Sequence, residues 1–263
     1  MHSNVYANGR IVEQSDAPLA ASAGVLYGKG VFTTLRIEGG QPFLFEKHLR
    51  RLSENAKAIG LVPVDSFAIE EGLEAVIAAN SVVSGRARIT LLDASGNTIW
   101  GGSGEPVTEL HIITGEPRSV PGEFRLGVSP FAVNSASPLA GIKSCNYLEN
   151  LLAADEARGR GFHEAVRLNE RGEIVSGAMS NIFWLSGGEL YTPSLRTGCL
   201  PGTVREMVLE NLECREAEAG IEALEAAEAI FLTSSGIGIG PVAEFAGRRL
   251  PVSNHPVLEL WPF

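Results

Sequence analysis

Cysteine is scarce in this chain of 263 residues, with only Cys145, Cys199 and Cys214. The number is odd and no CxxC occurs, so the chain has no disulfide framework on offer. Reduced thiols in a cytoplasmic protein are the simplest reading. Basic residues are also few. Lys and Arg number 21 against 31 Asp and Glu, giving a net charge of −10 and a pI near 5.1. Without a basic run there is no electrostatic footprint for nucleic acid or for an anionic membrane. No apolar run reaches the roughly 18 residues that a membrane helix needs. The opening Met1-His-Ser-Asn-Val5 has neither the charged nor the apolar region of a secretory signal. The five histidines (His2, His48, His111, His163 and His255) show no HExxH-like spacing, so no metal site is expected. Gly-x-Ser-x-Gly and Walker patterns are missing too.

What the chain does have is apolar content, 44% of its residues. That is enough for a substantial core in one large or two smaller domains. Val31–Ile37 and Gln41–Phe45 flank Glu38-Gly-Gly40, a hairpin signal. Leu49, Leu52, Ala56 and Ile59 predict a helix from about Glu46 to Ile59. A second helix is predicted over Ser66–Asn80, with Asp65 as its N-cap. Strands follow at Arg86–Leu92 and Glu109–Thr114. Gly115–Gly122 has two prolines, two glycines and no period, which suits a linker. The expected division is an α+β domain over residues 1–115, a linker at 116–123 and a larger mixed α/β domain over 124–263. In that second part a helix is predicted from Asn146 to about Arg158, with Leu148, Leu151 and Leu152 on one face. Strands are predicted at Glu164–Asn169, Ile174–Trp184 and Glu189–Pro193. Gly198–Arg205 should open another helix.

Lys143 follows the apolar approach Leu139-Ala-Gly-Ile142 and opens the helical pattern. On the residues alone two readings stand. The lysine could snorkel into water from a strand end. Alternatively its amine is partly buried, which lowers its pKa and suits it to form a Schiff base. Cys145, two residues on, is expected to pack rather than to do redox chemistry.

The order of short motifs bears on that choice. Gly28–Arg36, His48–Leu52, the Lys143 block, Ser180–Phe183, Leu200–Arg205 and Phe231–Ser235 follow one another along nearly the whole chain. This order resembles the class IV aminotransferases, the fold-type IV enzymes that use pyridoxal 5'-phosphate. The family includes branched-chain and D-amino-acid aminotransferases and 4-amino-4-deoxychorismate lyase. The resemblance implies a two-domain fold and a homodimer with sites at the subunit interface. It implies that Lys143 holds the cofactor as a Schiff base and then acts as general base at the substrate's α-carbon.

Three segments have the chemistry to bind the cofactor's phosphate. Leu200–Arg205 is a glycine turn into a helix, whose first N–H groups favour an anion. Thr233–Gly240 follows an apolar strand and can form a nest of amides and hydroxyls. Arg51 can make a bidentate contact. By resemblance, Arg51, Thr203, Val204, Ser234 and Ser235 occupy phosphate-binding positions. Tyr147 matches a tyrosine that contacts the phenolic oxygen, four residues past Lys143. Asn181 lies in the matching Ser-Asn-Ile-Phe but gains no definite role.

Two positions depart from the family pattern. Ser176 stands where a glutamate usually pairs with the pyridine nitrogen, and Glu173 is expected to face away from it. Asp93 lies near where lyases and many D-amino-acid aminotransferases carry a substrate arginine. Arg88 or Arg86 could substitute, with Tyr27 as a further substrate contact. Phe32-Thr-Thr34 has threonine where many aminotransferases have glutamate, so Thr34 is a candidate catalytic residue. That tripeptide and Ser137–Lys143 resemble the lyases, while Asn146-Tyr147 resembles the aminotransferases. The expectations are therefore a lyase or an aminotransferase. A non-catalytic binding protein on the same scaffold is the reading from another class.

Overall fold

The computed structural model describes residues 3–13, 23–95, 105–251 and 254–263. The chain forms two compact units. One comprises Met1–Arg118 together with Ile142–Asn146, and the other Ser119–Gly141 with Tyr147–Phe263.

The first unit is built on strands β1 (Asn4–Ala7), β2 (Arg10–Glu13), β3 (Gly30–Glu38), β4 (Gln41–Pro42), β5 (Ser84–Asp93) and β6 (Thr108–Gly115). They lie in the order β2-β1-β6-β5-β3-β4, with every neighbouring pair antiparallel. Gly39 and Gly40 join β3 to β4 with φ of 59° and 75°. Two positive φ values in a two-residue hairpin loop call for glycine. Alternation along β3 and β5 sends Val31, Leu35, Ile37, Ala87, Ile89 and Leu91 to one buried face. Helices α2 (Phe45–Ala58) and α3 (Ser66–Ala79) supply residues to the same core, including Leu52 and Ala56 from α2 and Leu73 and Val76 from α3. A short helix, α1 (Ala23–Tyr27), precedes β3. Asp65 caps α3 by accepting from Phe67 N at 3.1 Å. The strand expected to run to Phe45 ends at Pro42. Leu44, at φ 55°, turns the chain and Phe45 becomes the first residue of α2.

Ile142–Asn146 return to this sheet. They lie along the N-terminal half of β3, whose pairing with β4 is confined to Ile37 and Glu38. Phe32 N donates to Lys143 O at 3.0 Å and Cys145 N to Gly30 O at 2.8 Å. Val31 and Ser144 form an antiparallel bridge. Lys143 therefore sits in an extended segment and not at the start of a helix. A linear division at the linker assigns Lys143 to the second domain, whereas these hydrogen bonds fix it to the first.

The second unit carries β7 (Phe124–Val128), β8 (Glu164–Leu168), β9 (Ile174–Gly177), β10 (Asn181–Ser186), β11 (Glu189–Pro193), β12 (Cys214–Ala217), β13 (Ala229–Ser234), β14 (Gly238–Phe245) and β15 (Arg248–Arg249). Their order is β12-β11-β10-β13-β14-β7-β8-β9, with β15 on β14. The sheet is mixed: β14–β7, β7–β8 and β11–β12 are parallel. Leu126, Val166, Ile182, Trp184 and Leu232 lie in its core. The unit also contains the α-helices α4 (Leu148–Gly159), α5 (Thr203–Asn211) and α6 (Glu222–Glu225).

One element of this unit differs from the sequence reading. The strand expected over Ile174–Trp184 is broken at residues 178–180. The buried Glu164 carboxylate accepts from Ala178 N at 2.8 Å, Met179 N at 3.0 Å and Ser180 Oγ at 3.1 Å. Ala178 N also donates to Ala165 O on β8, and Gly177 N donates to Ser180 O, each at 2.9 Å, so the chain turns there with the carboxylate inside the turn. Burial raises the Glu164 pKa, against the lowering effect of its hydrogen bonds. In α4 the buried residues are Ala153 and Ala157, while Leu148, Leu151 and Leu152 are 65%, 47% and 49% exposed. The three leucines share one face, as their spacing predicts, and that face lies on the surface of the chain. No helix among the described residues is long and apolar enough to cross a membrane.

Candidate active site

In the first unit the even-numbered residues of β3 point away from the apolar core. Phe32 pairs with Thr90 and Thr34 with Arg88. The Arg88 guanidinium carbon lies 3.6 Å from the Phe32 ring centroid, and Lys143 Nζ lies 4.4 Å from it. Two cationic side chains thus share one aromatic ring. Burial, then the positive charges of Arg51 and Arg88, lower the Lys143 pKa to about 7. Some of the residue's surface stays accessible, but the amine end is closely surrounded. This is the partly buried amine, and not a snorkelling lysine.

A stability consequence follows from that shift. The folded pKa lies below the ordinary lysine value of 10.5, so between about 7 and 10.5 the unfolded chain binds more protons. Stability from this group therefore rises with pH across that window. In cofactor-free protein, the melting temperature of the parent relative to Lys143→Met should improve from about pH 7 to about pH 9. A constant difference between the two would contradict the shift.

On the core side of β3, Thr33 is fully buried. Its Oγ1 lies 2.6 Å from His48 Nδ1 and accepts from Arg51 at 2.9 Å. His48 and Arg51 lie three residues apart on α2 and so share a face. Burial, then Arg51 and Lys143, hold the His48 pKa well below the ordinary 6.5, and its ring is neutral. The hydroxyl that meets Arg51 belongs to Thr33, on the opposite face of β3 from Thr34. Sequence reasoning quoted His48–Leu52 as a motif but overlooked that contact. The i,i+3 spacing of His48 and Arg51 was the available signal.

Arg86 and Arg88 alternate along β5; Arg86 is exposed and Arg88 half-buried. Tyr27, the last residue of α1, is exposed. Asp93 is ion-paired with Lys29 at 2.7 Å and accepts from Ser95 N at 2.8 Å. Burial raises its pKa, but these partners outweigh that and the carboxyl stays below its ordinary value. Burial raises the Cys145 pKa, which suits a packing thiol.

In the second unit, α5 begins at Thr203 after Gly202, with no side-chain cap. The first-turn amides, those of Thr203 and Val204 among them, have no acceptor within the helix. Thr203 Oγ1 lies 3.2 Å from Ser235 Oγ. Ser234 Oγ accepts from Ile237 N at 3.3 Å and shapes the turn after β13. Asn181 Nδ2 donates to Leu200 O at 2.8 Å, which ties β10 to the turn ahead of α5. A Cβ on Gly202 would overlap Asn181 Oδ1, so that turn takes glycine.

Ser176 is half-buried on β9, directly opposite Arg167 on β8. Paired residues of antiparallel strands share a face. Arg167 is 3% exposed and donates to Phe131 O and Ala132 O at 3.3 and 3.2 Å. Sequence reasoning did not single out this arginine. The register slips between Arg167 and Leu168, which pair with Ser176 and Ile174, so the strand is bulged there. Glu173 is held by Arg171 and by Asn169, each at 2.7 Å. Tyr147 occupies the N-cap of α4, with φ −99° and ψ 9°. The helical i,i+4 relation expected between Lys143 and Tyr147 therefore does not exist. No group of three or more His, Cys, Asp and Glu among the described residues could hold a metal ion.

An amine whose pKa is near neutrality suits condensation with an aldehyde. A helix N-terminus beside two hydroxyls suits a phosphate. Pyridoxal 5'-phosphate carries both an aldehyde and a phosphate.

The family model for class IV amino-transferases matches residues 30–245. The chain belongs to the class IV aminotransferase family. Aminodeoxychorismate lyase of Bacillus subtilis is 33% identical over 248 residues, covering 90% of this chain and 85% of the relative. The branched-chain aminotransferase of Thermoproteus uzoniensis, solved with norvaline, superposes with a TM-score of 0.89 at 28% identity. It covers 99% of this chain and 92% of that one. The 4-amino-4-deoxychorismate lyase of Pseudomonas aeruginosa gives 0.86 at 26% identity over 97% and 96% of the two chains. The fold is the mixed α+β, fold-type IV architecture. Like its family, this class IV protein is a pyridoxal-phosphate-dependent enzyme, a lyase or an aminotransferase.

Proposed function

We propose that this class IV enzyme is a 4-amino-4-deoxychorismate lyase, which releases pyruvate and forms 4-aminobenzoate. The observation that carries the reading is the 33% identity to the Bacillus subtilis lyase across 90% of the chain. Phe32-Thr-Thr34 and Ser137–Lys143 support it. The second reading is a D-amino-acid or branched-chain aminotransferase, favoured by Asn146-Tyr147 and by the T. uzoniensis structure.

When bound, pyridoxal phosphate supplies an aldehyde for the amine and an electron sink for the carbanion. Lys143 is the amine. It takes the proton from the substrate carbon that bears the amino group. With the cofactor bound, Lys143 would return a proton to the departing fragment in a lyase, or to the cofactor in an aminotransferase. Arg51, Thr203, Val204, Ser234 and Ser235 are the phosphate ligands of this reading. Tyr147 serves the phenolic oxygen and Ser176 the ring nitrogen. Arg88, whose charge already acts on Lys143, suits a substrate carboxylate, with Tyr27 and Thr34 as further substrate-side groups. Purified protein should release pyruvate from aminodeoxychorismate without consuming an oxo-acid acceptor. Transfer of an amino group from a D- or branched-chain amino acid, with no pyruvate release, would establish the second reading instead.

The protein is proposed to be a cytoplasmic homodimer. The exposed leucine face of α4 is an apolar surface of the kind a subunit covers. Leu148→Asp with Leu151→Asp should halve the mass seen by light scattering. An unchanged mass would remove α4 from the interface.

A further inference from the structure

We propose that His48 is a positioning residue for Arg51, acting through the Thr33 hydroxyl to set the guanidinium that receives the cofactor's phosphate. The proposal rests on the reading of Arg51 as a phosphate ligand. It concerns three side chains that one strand and one helix bring together. Thr33 and His48 are fully buried, and Arg51 is 7% exposed. A buried hydroxyl that meets both an imidazole and a guanidinium has little freedom to turn. Thr33 Oγ1 accepts from Arg51 at 2.9 Å, so its own proton is available for His48 Nδ1, 2.6 Å away. A neutral ring carrying its proton on Nε2 accepts that hydrogen bond. The direction of donation is then Arg51 to Thr33 to His48.

This arrangement has a physical purpose. A guanidinium on a long side chain has several rotamers, and a phosphate ligand gains from having one selected in advance. Committing one Arg51 N–H to Thr33 fixes the plane of the fork, and the remaining donors then keep a set direction. Thr33 can fix Arg51 only if its own rotamer is fixed, and His48 does that. The neutral state of His48 matters as well. A third cation beside Arg51 and Lys143 would add repulsion inside a buried cluster.

The test compares pyridoxal 5'-phosphate with pyridoxal, which lacks the phosphate, as ligands of the full-length cofactor-free chain. Affinity is read from quenching of intrinsic fluorescence. Arg51→Gln should weaken the phosphorylated ligand by roughly ten- to a hundredfold and leave pyridoxal nearly unchanged. His48→Leu and Thr33→Val should each show the same selective loss, by about tenfold, one ordinary hydrogen bond's worth. His48→Asn, whose side-chain amide can take the place of Nδ1, should restore most of the ratio. Thr33→Val is nearly isosteric and serves if His48→Leu does not fold. A merely structural role would weaken both ligands equally, and that result overturns the proposal. If Arg51→Gln is selective but His48→Leu and Thr33→Val are not, the Arg51 reading stands and the His48 role fails. If Arg51→Gln itself shows no selectivity, the Arg51 reading fails and takes this proposal with it.

Discussion

Lys143→Ala should abolish activity and should also remove the covalent label left by borohydride reduction of the holoenzyme. The expectation rests on an amine whose pKa is brought to about 7 by burial and by two neighbouring guanidinium groups. Lys29, by contrast, is half-exposed and ion-paired with Asp93. The loss should be of several decades, because the residue is proposed both as the nucleophile and as the proton carrier. Peptide mapping after reduction is the decisive measurement. A label that persists in Lys143→Ala and maps to another lysine would overturn the assignment. The fold should survive, since the segment is held by main-chain hydrogen bonds of residues 143 and 145 that the substitution leaves intact.

Ser176→Glu should raise the pKa of the cofactor's ring nitrogen by roughly one to three units, the usual effect of an opposite charge at close range. In the parent enzyme a hydroxyl stands at this position, and the buried Arg167 lies across from it in register. A guanidinium on that face disfavours a second cation, so the parent's ring nitrogen should be neutral near pH 7. Glu173 is committed to Arg171 and Asn169 and does not supply the missing carboxylate. A neutral ring delocalises a carbanion less well, which suits chemistry in which the carbanion is short-lived, such as expulsion of a β-substituent. Arg167 would also attract the new carboxylate, which puts the expected rise toward the lower end of the range. Nitrogen-15 NMR of labelled cofactor in both proteins measures it. A fully protonated ring nitrogen in the parent at neutral pH would refute this account.

Much of the architecture could be read from residue order. Periodicity located α2 and α3 to within a residue or two, because their apolar faces are buried by the sheet beside them. It found β3, β5 and β6, because one face of each is buried. It located α4 as well but could not say what its leucine face meets, because apolar spacing is the same whether the face meets its own chain or another surface. It missed the break at residues 178–180, because the carboxylate that holds the amides of that turn is Glu164, on another strand.

The sequence by itself determined the family, through six short motifs in one order, and it singled out Lys143 by the apolar residues ahead of it. Those are properties of neighbours along the chain. Tertiary structure decided which residues surround the lysine. Backbone hydrogen bonds draw Ile142–Asn146 back to the edge of β3, over Phe32 and within electrostatic reach of Arg51 and Arg88. The strand's pleat separates Thr33 from Thr34, and it is Thr33 that meets His48 and Arg51. Register sets Ser176 opposite Arg167. The amine's pKa and the arginine's orientation depend on these distances between residues remote in sequence, which motif order does not encode.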